Sequence, residues 1–339
     1  MIFICPDKFK GTLTAWQAAE AIEAGLRDAG VTAPARLCPM ADGGDGTAEV
    51  LAPLLPDGEC VAESSLHVGP ECFRGIGPML RSSHAFGTAL RRALESHSHV
   101  YAAIGGTACC DGGAGMLQAL GMRAFAADGS EITQPLSPAK LPLVARIDCT
   151  GLPPGARVTV LSDVRASLVP DGSQPLSALD FAAQKGFTDA DMPRLEAALR
   201  LWRSVASPLR SDADGAAGGI GFALASVMGC GHRSGAAFAA DSYGLQFAPA
   251  DLVISGEGRI DAQTGAGKVV GEMHARARAA GCGFLAIGGS VCGCHPFATL
   301  SVSRPGDSVP STPAEAARRL RAAVRHFFSC TISKKTLTL

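Results

Sequence analysis

The chain opens with MIFICPDKFKGTLTAWQAAEAIEAGLRDAG (residues 1–30) and soon reaches ARLCPMADGGDGT (residues 35–47). The apolar run MIFIC predicts a buried strand. Thr12 or Thr14 can cap a helix in which Ala, Ile and Leu recur at helical spacing until Gly30 stops it. ARLCPMA predicts a second strand that ends in the glycine-rich loop DGGDG. This strand–helix–strand unit carries a charged or glycine-rich loop at each strand's carboxyl end, where open α/β sheets place ligands. Asp and Gly also make plain turns anywhere, so DGGDG alone leaves turn and ligand loop both open.

The far end of the chain repeats the pattern. ADLVISGEG predicts a strand running into a loop, KVVGEMHARARAAG a helix, GFLAIGGSV and ATLSVSR strands. TPAEAARRLRAAVRHFF predicts a last helix, with Thr312 and Glu315 as its capping box. In the middle, HVYAAIGGTACCDGGAGMLQALG reads as strand, glycine loop and helix, and ARVTVLSDV as a strand ending in Asp163. DMPRLEAALRLWRSVA predicts a helix, and DGAAGGIGFALASVMG a loop feeding another. No internal repeat is evident.

The expected fold class is therefore α/β with two domains. A Rossmann-like or flavodoxin-like parallel-sheet domain takes residues 1–60 and 248–330 from both chain ends. A second α/β domain, residues 61–247, is inserted, and residues 331–339 form a frayed tail. Such a design predicts a cleft between the domains.

Composition narrows the function. The 339 residues are 47% hydrophobic, 5% aromatic and rich in glycine at 41, with formal net charge −1. There is no Lys/Arg stripe, and few aromatics on which bases could stack, so no nucleic-acid partner is expected. No apolar run reaches the roughly 18–20 residues that span a bilayer, so no membrane partner is expected either. The N-terminus lacks a basic leader before an apolar core, and a cytoplasmic protein is expected. The 12 scattered cysteines then read as reduced thiols. CGCH (residues 292–295) has no second cluster at zinc-ligand spacing, and the eight histidines show no metal-binding pairs. Any anionic ligand must be held by local cations and backbone amides.

Four glycine-rich segments could supply those amides: DGGDG, GGTACCDGGAG, GAAGGIG and SGEGRIDAQTGAGK. None fits a Walker A loop or a dinucleotide fingerprint. Each is expected at a helix N-terminus or in a nest, facing an anion. Phosphate-cradling loops beside several carboxylates suggest a nucleotide with Mg²⁺.

PDKFKGTLTA, PMADGGDGT, GGTACCDGGAGMLQALG, SDV, QKG, GAAGGIG and DLVISGEGRID.QT..GK follow one another over nearly the whole chain. In these motifs the chain resembles the type 1 glycerate kinases. The resemblance implies ATP-dependent phosphorylation of D-glycerate, at the 2-hydroxyl, with ATP and Mg²⁺. A homodimer is one assembly it leaves open. A weakened glycerate- or nucleotide-binding relative, or a kinase for another small hydroxy acid, are the alternatives.

Three departures stand out. TACC replaces the family's SATN, so that Cys110 stands where an amide is usual: either it faces the ligand in that amide's place, or the site has repacked around the thiol with Thr107 and the amides of Gly112 and Gly113 instead. DVRASL replaces DVxNPL, and the stretch from Glu63 to Phe86 is compressed.

Phosphoryl transfer needs carboxylates for Mg²⁺, cations or amides around the phosphates, and a group that orients the attacking hydroxyl. Beside the resemblance, the expected catalytic residues are Asp42, Asp163 and Lys8, with Asp42 and Asp163 also as metal ligands. Substrate would be held by Asp7, Lys10, Glu257, Arg259 and Asp261. Asp7 could instead cap its turn, and Arg259 could instead close an internal salt bridge. Nucleotide would be held by Gly105, Gly106, Thr107, Asp111, Gly112, Gly113, Gln184, Lys185 and Lys268. Asp111 could instead be a plain helix N-cap.

Overall fold

The computed structural model describes residues 1–206, 215–261, 264, 268–304 and 306–336, with backbone only for 331–336. The chain forms two compact units, residues 1–42 with 236–339 and residues 43–235.

In order, the elements are β1 (Ile2–Pro6), α1 (Ala15–Asp28), β2 (Ala35–Leu37), α2 (Thr47–Leu51), β3 (Glu59–Glu63), α3 (Ser65–Val68), α4 (His84–Ser96) and β4 (His99–Ala103). Then come α5 (Ala114–Leu120), β5 (Arg123–Phe125), β6 (Arg146–Asp148), β7 (Val158–Leu161), α6 (Met192–Ala206) and β8 (Gly231–Arg233). The chain closes with α7 (Gly235–Ser242), β9 (Leu252–Ile260), α8 (Val269–Ala280), β10 (Gly283–Val291), β11 (Ala298–Ser301) and α9 (Pro313–Thr336).

The unit made from both chain ends is a five-stranded parallel sheet in the order β11-β10-β9-β1-β2. MIFIC and DLVIS are neighbours in it, with Ile4 opposite Ile254. Helix α1 starts at Thr14, which caps Gln17 N while the Gln17 side chain bonds back to Thr14 N. Its buried Ala18, Ile22 and Leu26 join Ile4, Ile254, Leu285 and the α9 residues Leu320 and Val324 in one core. This parallel sheet is read from short apolar runs, as expected of strands covered by helices.

The other unit has a four-stranded parallel sheet, β3-β4-β7-β8, and an antiparallel pair, β5-β6. Its core includes Phe86, Leu90, Met116, Trp202 and Phe222, all fully buried.

Three boundaries differ from the sequence reading. The first division falls at residues 42/43 rather than after 60. β3 pairs with β4, and Glu63 bonds the amides of Gly46 and Ala48, so residues 43–60 belong with the inserted unit. The second falls at 235/236 rather than at 247, because α7 lies almost wholly on the other side. The tail is helical to Thr336: no Gly or Pro interrupts SCTISKKT. Residues 337–339 lie outside the described residues. Among the described residues no helix is long and apolar enough to cross a membrane.

Candidate active site

In the five-stranded unit, the carboxyl ends of β1, β2 and β9 gather charge. Asp7 follows β1, and its amide donates to Gly256 O at 2.8 Å, which sets it beside Glu257 of β9. Asp7 Oδ1 accepts the Lys8 amide at 2.7 Å and lies 3.6 Å from Lys8 Nζ. Lys8 Nζ donates to Asp42 Oδ1 at 3.2 Å. One ammonium thus bridges two carboxylates that lie 35 residues apart in sequence. Met40 N, bonded to Pro6 O, aligns the approach to DGGDG with the end of β1.

Asp7 is nearly buried. Burial first, then the charge of Asp42, pushes its carboxyl up to about 7, against the pull of Lys8. Glu257 is raised as well, by desolvation, and is eased by Thr264 and Lys268. Glu257 Oε1 is buried and accepts no hydrogen bond from the described residues. The arrangement is a set of hard oxygen donors whose charges raise one another. Among the described residues, no group of three or more His, Cys, Asp or Glu side chains is placed to hold a metal ion.

Arg259 is exposed and pairs with Asp261 at 3.2 Å, which is the internal salt bridge that the sequence left as an alternative to a carboxylate clamp. Asp261 N donates to Thr264 Oγ1 at 3.0 Å. Lys10 is exposed and makes no ion pair among the described residues. Lys268 stands at the N-cap of α8.

SGEG, read as a loop, is part of β9, which runs unbroken to Ile260. Its glycines serve close strand packing: a Cβ on Gly256 would lie 2.4 Å from Ile287 O. Residues 262–263 and 265–267 of the same expected phosphate loop lie outside the described residues.

In the inserted unit, GGTACCDGGAG leaves β4 and passes under residues 216–220 to reach α5. Lys185, almost buried, donates from Nζ to Cys109 O at 2.9 Å and to Thr107 Oγ1 at 3.2 Å. Both acceptors are neutral. Gly218 packs so tightly here that a Cβ would come 2.2 Å from Cys109 O and 2.8 Å from Lys185 Nζ. It belongs to a run of left-handed residues, Ala217, Gly218 and Gly219, in which Ala217 at φ 56° is the only non-glycine in the described chain with positive φ. Gly105, Gly106 and Thr107 begin the loop, and Asp163 lies half-buried after β7, at the same carboxyl edge of the sheet. Gln184 and Lys185 form one 3-10 turn with Ala183.

Asp111, expected either to touch nucleotide or to be the helix N-cap, stands two residues before Gly113, the N-cap of α5, and is held within its own unit. It is fully buried, and its oxygens accept Ser83 N (2.7 Å), Ser83 Oγ (2.8 Å), Gly113 N (3.1 Å) and Gly115 N (3.2 Å). These bonds also take the amide of Gly113. Gly112 gives its N–H to Gly218 O and its carbonyl to Trp202 Nε1. Neither amide is left for a phosphate. Cys110 does not take the ligand-facing alternative. Its side chain is fully buried in the core, and burial pushes its thiol up to about 11. In DVRASL, Ser167 N donates to Leu176 O at 2.9 Å, a bond that the family's proline could not make.

Two participants escaped the sequence reading. Glu63 caps α2 through the amides of Gly46 and Ala48, so the helix after DGGDG is already occupied by a carboxylate. Ser83 is the partner of Asp111 from 28 residues away.

Comparison with known proteins agrees with the motifs. The model of the glycerate kinase family matches residues 2–63 and 54–299. A glycerate kinase of Halalkalibacterium halodurans is 34% identical over 86% of this chain and 85% of its own. The glycerate 2-kinase of Escherichia coli K12 is 34% identical over 79% of each. The crystal structure of a protein assigned as glycerate kinase 2 of Salmonella typhimurium LT2 superposes with a TM-score of 0.79, at 30% identity and 99% coverage of both chains. The chain belongs to the glycerate kinase family.

Proposed function

We propose that the chain transfers the γ-phosphoryl group of ATP to the 2-hydroxyl of D-glycerate, giving ADP and 2-phosphoglycerate. Family membership supports the reaction, and the Asp7–Lys8–Asp42 cluster is the observation that carries the assignment of residues. The substrate oxygen bonds to phosphorus as the bond from phosphorus to the β,γ-bridging oxygen breaks. The hydroxyl proton passes to a carboxylate of the cluster, and ADP leaves with the electron pair. Such transfer rests on positioning and charge neutralisation.

Asp42 and Lys8 act at the reacting groups, and Asp7 accepts a hydrogen bond from a glycerate hydroxyl. Arg259, Lys10 and Asp261 are kept as candidates for the substrate's polar groups, Arg259 after leaving its pair with Asp261. Lys185 and Thr107, with the amide at Gly106, hold the nucleotide's phosphates; the amide of Gly105 is taken by Gly43 O.

Mg²⁺ fits the donors of the five-stranded unit: carboxylates only, one buried oxygen of Glu257 with no donor among the described residues, and Asp7 raised by its neighbours. Magnesium carried by ATP needs one or two protein carboxylates rather than a full protein cage. Asp42 would hold it, and Asp163 is the candidate in the inserted unit. When bound, the ion neutralises the phosphate charge that develops during transfer.

The test is ADP release in a coupled assay with and without D-glycerate. The proposal expects ADP formation that depends on D-glycerate. Release at the same rate without it, or none at all, would overturn the proposal.

A further inference from the structure

Arg81 lies outside every motif above, in the compressed stretch between Glu63 and Phe86. Its guanidinium ties together three segments. Nε donates to Ile76 O at 2.9 Å, and Nη1 donates to Lys185 O at 2.7 Å and Ala108 O at 3.3 Å. Its planar face lies over the ring of Phe73, 5.7 Å from the centroid. Among the described residues it makes no ion pair, so a permanent cation is spent on neutral carbonyls. A rigid fork suits that use, since its donors keep fixed relative directions, which a lysine's do not.

The acceptors are informative. Lys185 is held by its backbone at Arg81 and by its ammonium at Thr107 and Cys109. Ala108, between those two, is held by Arg81 as well. Two cations therefore fix one loop against one turn, and both use only neutral acceptors there. The carboxylate of that loop, Asp111, is fully engaged by Ser83, Gly113 and Gly115. Burying an ammonium among neutral dipoles is costly unless an anion completes the site.

We infer that Arg81 is a positioning residue for the nucleotide: it holds Lys185 and the Thr107–Cys109 segment in the geometry that receives a phosphate. The inference rests on the reading that Lys185 and Thr107 hold the phosphates of ATP. Arg81 contributes preorganisation, and a misplacement of about 1 Å in such a group can lower a rate about a hundredfold.

Steady-state kinetics on Arg81→Ala and Lys185→Ala tests this, with each substrate varied in turn. Both variants are expected to raise KM for ATP at least about tenfold and leave KM for glycerate within about twofold. Millimolar guanidinium should restore much of the ATP affinity of Arg81→Ala, and equal ammonium should not. A purely structural loss would not distinguish the two cations. If Lys185→Ala raises KM for ATP and Arg81→Ala does not, the role of Arg81 is overturned and the phosphate reading stands. If neither variant raises it, the phosphate reading fails and takes the inference with it. A parallel rise of both KM values without rescue also overturns the inference. Should Arg81→Ala not fold, Arg81→Lys serves instead. It keeps the charge but loses the fork, and an unchanged KM for ATP in it overturns the inference.

Discussion

Asp111 and the acid cluster of Asp7, Asp42 and Glu257 both stand at glycine-rich segments, yet they are opposites. Every oxygen of Asp111 is engaged, by four donors from Ser83, Gly113 and Gly115. In the cluster the Lys8 ammonium lies against two carboxylates, Glu257 keeps a buried oxygen with no donor among the described residues, and Asp7 is pushed to about 7. A satisfied buried carboxylate organises its own chain. A group of carboxylates that raise one another is suited to a cation that arrives. Burial alone does not separate the two, because Asp7 and Asp111 are both buried. The neighbouring negative charge does, since it acts on Asp7 and Glu257 while hydrogen bonds surround Asp111.

Substitution can break or sharpen that contrast. The largest effect is expected at Asp42. Asp42→Asn keeps the shape and removes the charge, and turnover should fall by about 10²–10⁴ with little change in melting temperature. Unchanged turnover would reduce the loop to a turn.

Asp7 gives the next effect, through pH. Its folded form holds a proton more tightly than the unfolded chain, because burial, Asp42 and Glu257 outweigh Lys8. Stability from this group is complete at acid pH and is lost as pH rises through about 7. Asp7→Asn should therefore resist urea better than the parent at alkaline pH, by at most about 4 kcal/mol, and lose that advantage below about pH 4. An advantage that grows on acidification would contradict the sign.

Asp111→Asn should do the reverse of Asp42→Asn. One amide N–H₂ would meet the donors of Ser83 or Gly113, costing about 3 kcal/mol and lowering the melting temperature by roughly 6–12 °C. The molecules that remain folded should keep their KM for ATP. A raised KM with unchanged melting temperature would return Asp111 to the ligand. Cys110→Asn comes last: an amide placed in the core should cost about 1–3 kcal/mol and bring no gain in kcat/KM. A gain would mean that residue 110 faces the ligand after all.

Much of this was legible in the sequence. Five apolar residues, a threonine cap at residue 12 or 14 and DGGDG were enough to read β1, α1, β2 and the loop that carries Asp42. The same signals hid other features. Glycine at 256 and 258 reads as loop, but in β9 it permits close contact with neighbouring backbone, so strand and loop look alike. Glu63 resembles a solvated strand end until Gly46 and Ala48 are seen to need an acceptor. Cys109 and Cys110 face the core together, outside any strand or helix period that could have told inside from outside. Ser83 and Arg81 meet the GGTACCDGG loop only through tertiary packing, which no local pattern announces.

The central claim is that this chain makes 2-phosphoglycerate. Phosphorus-31 NMR of purified protein with ATP, Mg²⁺ and D-glycerate reads the product directly. The account predicts the resonance of 2-phosphoglycerate growing in step with ADP. ADP accompanied by 3-phosphoglycerate, or by inorganic phosphate alone, would contradict it.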